Sequence, residues 1–167
     1  MAVAGKPPVV KNNLITPAGY KKLVDEADDL WKVQRPIIVE EVHQAALQGD
    51  RSENAEYIYG KKKLREIDKR LGFLGRRLDA AKIIDPTRQT GDKILFGATV
   101  SVADGEGRNK TYHIVGEDEA DPNTQKISWK SPVGQALLNK SVGDFVEIET
   151  PRGMIELEVL GLKFPSA

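Results

Sequence analysis

The chain has 167 residues, and its 25 lysines and arginines balance 25 aspartates and glutamates, so any argument for nucleic-acid binding rests on where the charge lies, not on its sum. It has no cysteine, which excludes disulfides, thiol catalysis and cysteine-ligated zinc and agrees with a reducing compartment. No apolar run approaches the ~18–20 residues that span a bilayer, and no signal-peptide pattern opens the chain, so a cytoplasmic protein with no membrane partner is expected.

The first stretch, MAVAGKPPVVKNN, reads as a disordered extension over residues 1–13. Thr16-Pro17 is a helix start, with a hydroxyl at the N-cap and a proline where a missing N–H costs nothing. Tyr20, Leu23, Ala27 and Leu30 follow at spacings of three and four. After Trp31 the apolar phase slips to Ile38, Val42, Ala45 and Ala46, and Pro36 predicts a kink inside the helix. Gln48-Gly49 ends it.

A second helix carries a heptad-like seam of Tyr57, Gly60, Leu64, Ile67, Leu71, Leu74, Leu78 and Ala81, closed by Asp85-Pro86. Two such helices joined by a tight link make an antiparallel coiled-coil hairpin over residues 14–84, about 45 Å long at 1.5 Å per residue. Its turn, GDRSENAEY, collects Asp50, Glu53 and Glu56. Residues 85–92 are a linker, and from 93 the period becomes strand-like. ILFGATVSVA, KTYHIVG and QKISWK precede a short helix opened by Ser131-Pro132, and DFVEIET and MIELEVLGLKF flank the turn PRG. The expectation is an α+β chain whose C-terminal domain, residues 93–167, is an antiparallel sheet with a short helix and a core including Phe96, Tyr112, Trp129 and Phe145.

From Tyr57 through Arg77 there are eight basic residues against two acidic ones. Lys62, Lys69 and Arg76 recur every seven residues, flanked by Lys63, Arg70 and Arg77 and by Lys61 and Arg65. One reading is a solvated coiled-coil face; the other is a surface for a phosphate backbone or an acidic channel wall. The tip also has two readings. Asp50 or Ser52 can cap the second helix, with Glu53 and Glu56 against the positive end of its dipole, and Asp50-x-x-Glu53 has capping-box spacing. Alternatively, the carboxylates are oxygen ligands carried to a distant site, too few to hold Mg²⁺ without a partner. His43 and His113 lie in different regions and do not suggest a metal pair, and no nucleophile–base arrangement is visible.

GDRSENAEY followed by KKKLREIDKR resembles the tip and second helix of the bacterial transcript cleavage factors, the Gre family. LWKVQRP and LREIDKR are nearer its GreB branch, and SPVGQALLNKSVGD and TPRG are similar to the family's C-terminal domain. The resemblance implies an FKBP-like docking domain, with Ser131 and Pro132 at the polymerase contact, and a monomer whose hairpin enters the secondary channel of RNA polymerase. Asp50 and Glu53 match the family's catalytic carboxylates, which share Mg²⁺ with the polymerase as it cleaves backtracked nascent RNA. Lys62, Lys63, Arg65, Lys69, Arg70 and Arg76 would then contact the extruded 3′ end. A channel-binding inhibitor and a stand-alone RNA-binding arm are the alternatives, and the glycines at 60, 72 and 75 are expected to soften the hairpin.

Overall fold

The structure, a computed structural model, describes residues 12–49 and 53–166. The expected disordered extension falls outside the described residues except at its last two positions. The chain divides into two compact units, one of residues 20–80 and one made of the residues up to 19 together with those from 81 onward.

The opening helix α1 (Pro17–Asp29) begins in the second unit and continues into the first; it starts at Thr16, whose Oγ1 accepts the Gly19 N–H at 3.1 Å. It does not break before Pro36. A π-helical turn over Leu30–Gln34 leads into α2 (Arg35–Leu47), and the Arg35 N–H bonds to the Leu30 carbonyl five residues back. Proline has no N–H for the helical ladder and its ring crowds the carbonyl four residues before it, so a wider turn just ahead of it removes the conflict. The π turn also explains the slipped phase. Leu23, Leu30, Ile38 and Ala45 are all buried, and the interval of eight between the middle pair is a heptad with one residue inserted.

The second helix, α3 (Ala55–Asp79), runs antiparallel to α2 and buries Gly60 and Leu74 along the predicted seam. Gly60 is no soft spot. A Cβ there would stand 2.5 Å from Val42 Cγ2, so glycine is what lets the helices approach. Gly75 faces open space, and at Gly72 the nearest atom is the end of the Arg76 side chain. Arg35 Nε donates to Asp68 at 2.8 Å and stacks on Trp31 at 5.5 Å, while Arg70 grips both oxygens of Glu26 at 2.7 and 2.9 Å.

The second unit begins with β1 (Asn13–Ile15), which pairs in parallel with β2 (Ala81–Ile83). The hairpin is therefore inserted between two paired strands. This corrects the expectation that the second helix runs to Asp85: it stops at Asp79, because the next residues satisfy their backbone against β1, with Ile84 N–H adding a bond to the Ile15 carbonyl at 2.9 Å. Within the expected linker, Asp85 caps a 3₁₀ turn over Pro86–Arg88.

The strands that follow are β3 (Thr99–Asp104), β4 (Asn109–Val115), β5 (Lys126–Ser128), β6 (Phe145–Thr150) and β7 (Gly153–Lys163), with α4 (Pro132–Leu137) between β5 and β6. Among the described residues they form a five-stranded sheet of order β5-β4-β3-β7-β6. The sheet is mixed, not antiparallel throughout. β4 and β5 run parallel because the chain between them crosses back through two 3₁₀ turns, Glu117–Glu119 and Pro122–Thr124, instead of a hairpin. Alternate residues of β3, β6 and β7 bury Val100, Val102, Val146, Ile148, Leu157 and Val159 against Leu137 of α4. Phe96 is buried, and Tyr112 and Trp129 pack on that core. Phe145 is not part of it: it is 62% exposed, because burial in β6 begins at the next residue.

The packing at Gly60 predicts opposite effects for two similar substitutions. Gly60→Ala should destabilise the chain by about 1–3 kcal/mol, since the stiff Val42 cannot swing away, and Val42→Ala should restore much of the loss. Gly75→Ala should stabilise it by roughly 0.5–1 kcal/mol. Thermal unfolding followed by circular dichroism checks both, and equal effects at the two positions would refute the close-approach account.

Candidate functional site

At the turn of the hairpin, α2 ends at Gln48, whose N–H bonds to the Ala45 carbonyl at 3.2 Å, and Gly49 takes a φ of 148° that favours glycine. Asp50, Arg51 and Ser52 lie outside the described residues. On the return, the N-cap of α3 is Asn54. Its side-chain oxygen accepts the Tyr57 N–H at 3.1 Å, and its backbone carbonyl accepts the first helical bond, from Ile58, at 3.0 Å. The same amide reaches across the turn and donates from Nδ2 to the Ala45 carbonyl at 2.6 Å.

This cap differs from the expected one at Asp50 or Ser52, and it frees Glu53. That residue sits just ahead of the cap, exposed, with no hydrogen-bond or ion-pair partner among the described residues. Glu56 does stand in the first turn of α3, as expected. Behind the tip a cleft of about 350 Å³ is lined by Glu40, Glu41, Gln44, Gln48, Glu56 and Tyr59. No group of three or more His, Asp or Glu able to hold a metal occurs among the described residues.

The basic residues of α3 separate into two kinds. Lys62, Arg65, Lys69 and Arg76 are exposed and have no ion-pair partner among the described residues. Arg70 is committed to Glu26 and lies over the Phe73 ring at 5.1 Å, and Lys63 lies over Tyr59 at 4.9 Å. Across the hairpin, the hydrogen bond from Arg35 holds the Asp68 carboxyl below its ordinary pKa, and this acid sits between the basic rows. In the sheet unit, Ser131 Oγ accepts the Gly134 N–H at 3.1 Å and donates to the Ser128 carbonyl at 2.6 Å. The hydroxyl thus caps α4 and is occupied internally, leaving the neighbouring Pro132 as the exposed member of the pair. His43 and His113 fall in different units, the latter bonded to Thr99 Oγ1 at 2.9 Å.

Sequence reasoning missed Asn54, although an asparagine immediately before Ala55-Glu56 was a readable cap signal. What no local pattern carries is its second bond, to Ala45.

Two family profiles match the chain. One described as "Transcription elongation factor, N-terminal" covers residues 13–83. The other, "Transcription elongation factor, GreA/GreB, C-term", covers residues 89–164. The chain is 48% identical over 153 residues to transcription elongation factor GreB of Neisseria meningitidis serogroup A, covering 91% of this chain and 94% of that protein. To GreB of Haemophilus ducreyi it is 50% identical over 145 residues, covering 87% and 90%. Among solved structures, the GreA factor homolog 1 of Thermus thermophilus aligns at 25% identity and a TM-score of 0.43, covering 92% of this chain and 99% of that one.

The double role of Asn54 yields a test. Asn54→Ala should cost ~1 kcal/mol and expose the Tyr57 amide to exchange. Asn54→Asp should keep that amide protected while losing the bond to Ala45. Hydrogen exchange read at Tyr57 separates them, and equal protection in all three proteins would rule out Asn54 as the cap.

Proposed function

The chain belongs to the GreA/GreB family of transcription elongation factors, and on that premise we propose that it stimulates the cleavage of backtracked nascent RNA by bacterial RNA polymerase. The hairpin enters the secondary channel and brings Asp50 and Glu53 to the polymerase's active centre. The observation that carries this reading is Glu53, exposed ahead of a cap that another residue supplies.

Asp50 and Glu53, together with groups of the polymerase, would hold Mg²⁺, which would supply Lewis acidity for the hydrolysis. The chain's own part is to deliver charge and to hold it still. Because Asn54 satisfies the Tyr57 N–H, Glu53 is not drawn into the helix terminus and both of its oxygens remain available. The bond from Asn54 to Ala45 ties the two helix ends, so the turn cannot splay. The bond-breaking chemistry belongs to the polymerase, and this protein completes its site.

Lys62, Lys69 and Arg76 stand seven residues apart on α3 and are free to meet phosphates of the extruded RNA, with Arg65 and Lys63 beside them. Contacts of this kind position the strand without reading its sequence. Arg70 is assigned to bracing the hairpin rather than to RNA. The sheet unit docks on the channel rim with Pro132 among its exposed residues, and one copy of the chain suffices. The protein works in the cytoplasm with the polymerase; no helix among the described residues is long and apolar enough to cross a membrane.

Asp50→Asn or Glu53→Gln should abolish stimulated cleavage with little loss of polymerase binding, since an amide keeps the shape and removes the charge that Mg²⁺ demands. Wild-type cleavage rates from both variants in a backtracked elongation complex would sink the catalytic assignment.

Replacing Lys62, Lys69 and Arg76 together with alanine should weaken engagement with long extruded RNA more than with short, and raised salt should narrow the difference. The same loss on short and long backtracks would argue that these side chains do not track RNA.

A further inference from the structure

The start of α1 is held by a residue far away in the chain. Glu119 closes the short turn after β4, 103 residues from Thr16. Its Oε2 accepts the N–H of Thr16 at 3.1 Å and that of Gly116 at 2.9 Å, and its Oε1 accepts the Thr16 hydroxyl. Thr16 Oγ1 in turn accepts the Gly19 N–H, so one carboxylate fixes both the cap of α1 and, through it, the first turn. Beside it, Asn13 Nδ2 donates to Asp118 at 2.9 Å.

The surroundings are built around this carboxylate. Thr16, Gly19 and Gly116 are buried. A Cβ on Gly19 would lie 2.4 Å from the Glu119 carboxyl, and one on Gly116 would lie 2.3 Å from the Leu14 carbonyl. At Gly116 the backbone of β1 passes too close for a side chain, and at Gly19 a side chain would take the place of the Glu119 carboxyl. A negative charge at the amino end of a helix also meets the positive end of its dipole.

We propose that Glu119 is a positioning residue for stimulated cleavage: it fixes the cap and first turn of α1, the element that leads to the tip carboxylates. The proposal rests on the function assigned above. From that first turn the helical path continues through the π turn and α2 for about 30 residues, or about 45 Å at 1.5 Å per residue. A misplacement of about 1 Å at the reacting atoms can cost ~100-fold in rate. The β1–β2 pairing does not involve Glu119, so its loss should loosen the first turn of α1 without unfolding the unit.

The test is a titration of full-length protein into backtracked elongation complexes, reading the maximal cleavage rate and the half-saturating concentration separately, with hydrogen exchange at Gly19 in the free protein. Glu119→Ala should deprotect Gly19 and lower the maximal rate by about tenfold or more, while the half-saturating concentration stays within about twofold. Thr16→Val, which leaves the bond between Glu119 and Gly116, is the milder variant and should move the same two readouts. Glu119→Gln should restore both, because its amide oxygen can accept the two N–H groups and its NH₂ can donate to the Thr16 hydroxyl. An unchanged maximal rate in Glu119→Ala, a loss confined to half-saturation, or a glutamine variant no better than alanine would overturn the role. Wild-type protein that stimulates no cleavage would sink the assigned function itself, and this role with it.

Discussion

Where an antiparallel helical hairpin turns, the last carbonyls of one helix and the first amides of the next lose their helical partners together. A carboxylate or hydroxyl at the turn can answer the amides, yet an ionised carboxylate has nothing to donate to the carbonyls. Asn54 has both an acceptor and a donor, and it uses the first on Tyr57 and the second on Ala45. The arrangement at the tip depends on this pairing. With the helix ends tied by an uncharged side chain, the neighbouring Glu53 is left exposed and unpaired among the described residues.

Between tip and root, the hairpin has to keep one apolar stripe facing inward despite a proline in its first helix. The inserted residue of the π turn does this by turning an interval of seven into eight, so that Ile38 and Ala45 return to the seam occupied by Leu23 and Leu30. Close approach at Gly60 then brings the helices together near the tip. The bridges Arg35–Asp68 and Arg70–Glu26 add cross-links that are partly exposed, each of a kind worth roughly 0–1 kcal/mol. Their more telling effect is on charge. Arg70 is neutralised by Glu26, and the basic character of α3 concentrates on Lys62, Arg65, Lys69 and Arg76.

At its root the hairpin begins and ends in a parallel pair of short strands, and Glu119 adds the part-buried bonds that fix the first turn of α1. A short two-stranded ladder alone would be weak. Burial of Ile15, together with the bond from Asn13 to Asp118, supplements it.

The amino-acid sequence by itself determined whatever depends on neighbours a few residues apart. The heptad seam of α3, the cap at Thr16, the hairpin turn at PRG and the cap at Ser131 were all legible, since each is a local pattern of polarity and turn chemistry. So was the displaced apolar phase after Trp31, although reading it as a π turn required the backbone. Tertiary structure alone decided what depends on residues far apart. β5 runs parallel to β4 because of how the intervening chain crosses back, and Phe145 is exposed because of where its strand meets the core. Asn54 reaches Ala45 only once the helices are paired, and Glu119 reaches Thr16 only once β1 has been brought beside the turn that follows β4. A carboxylate that will cap a helix begun 103 residues earlier looks, in sequence, like any other acid in a loop, because the partner that gives it meaning arrives only with the fold.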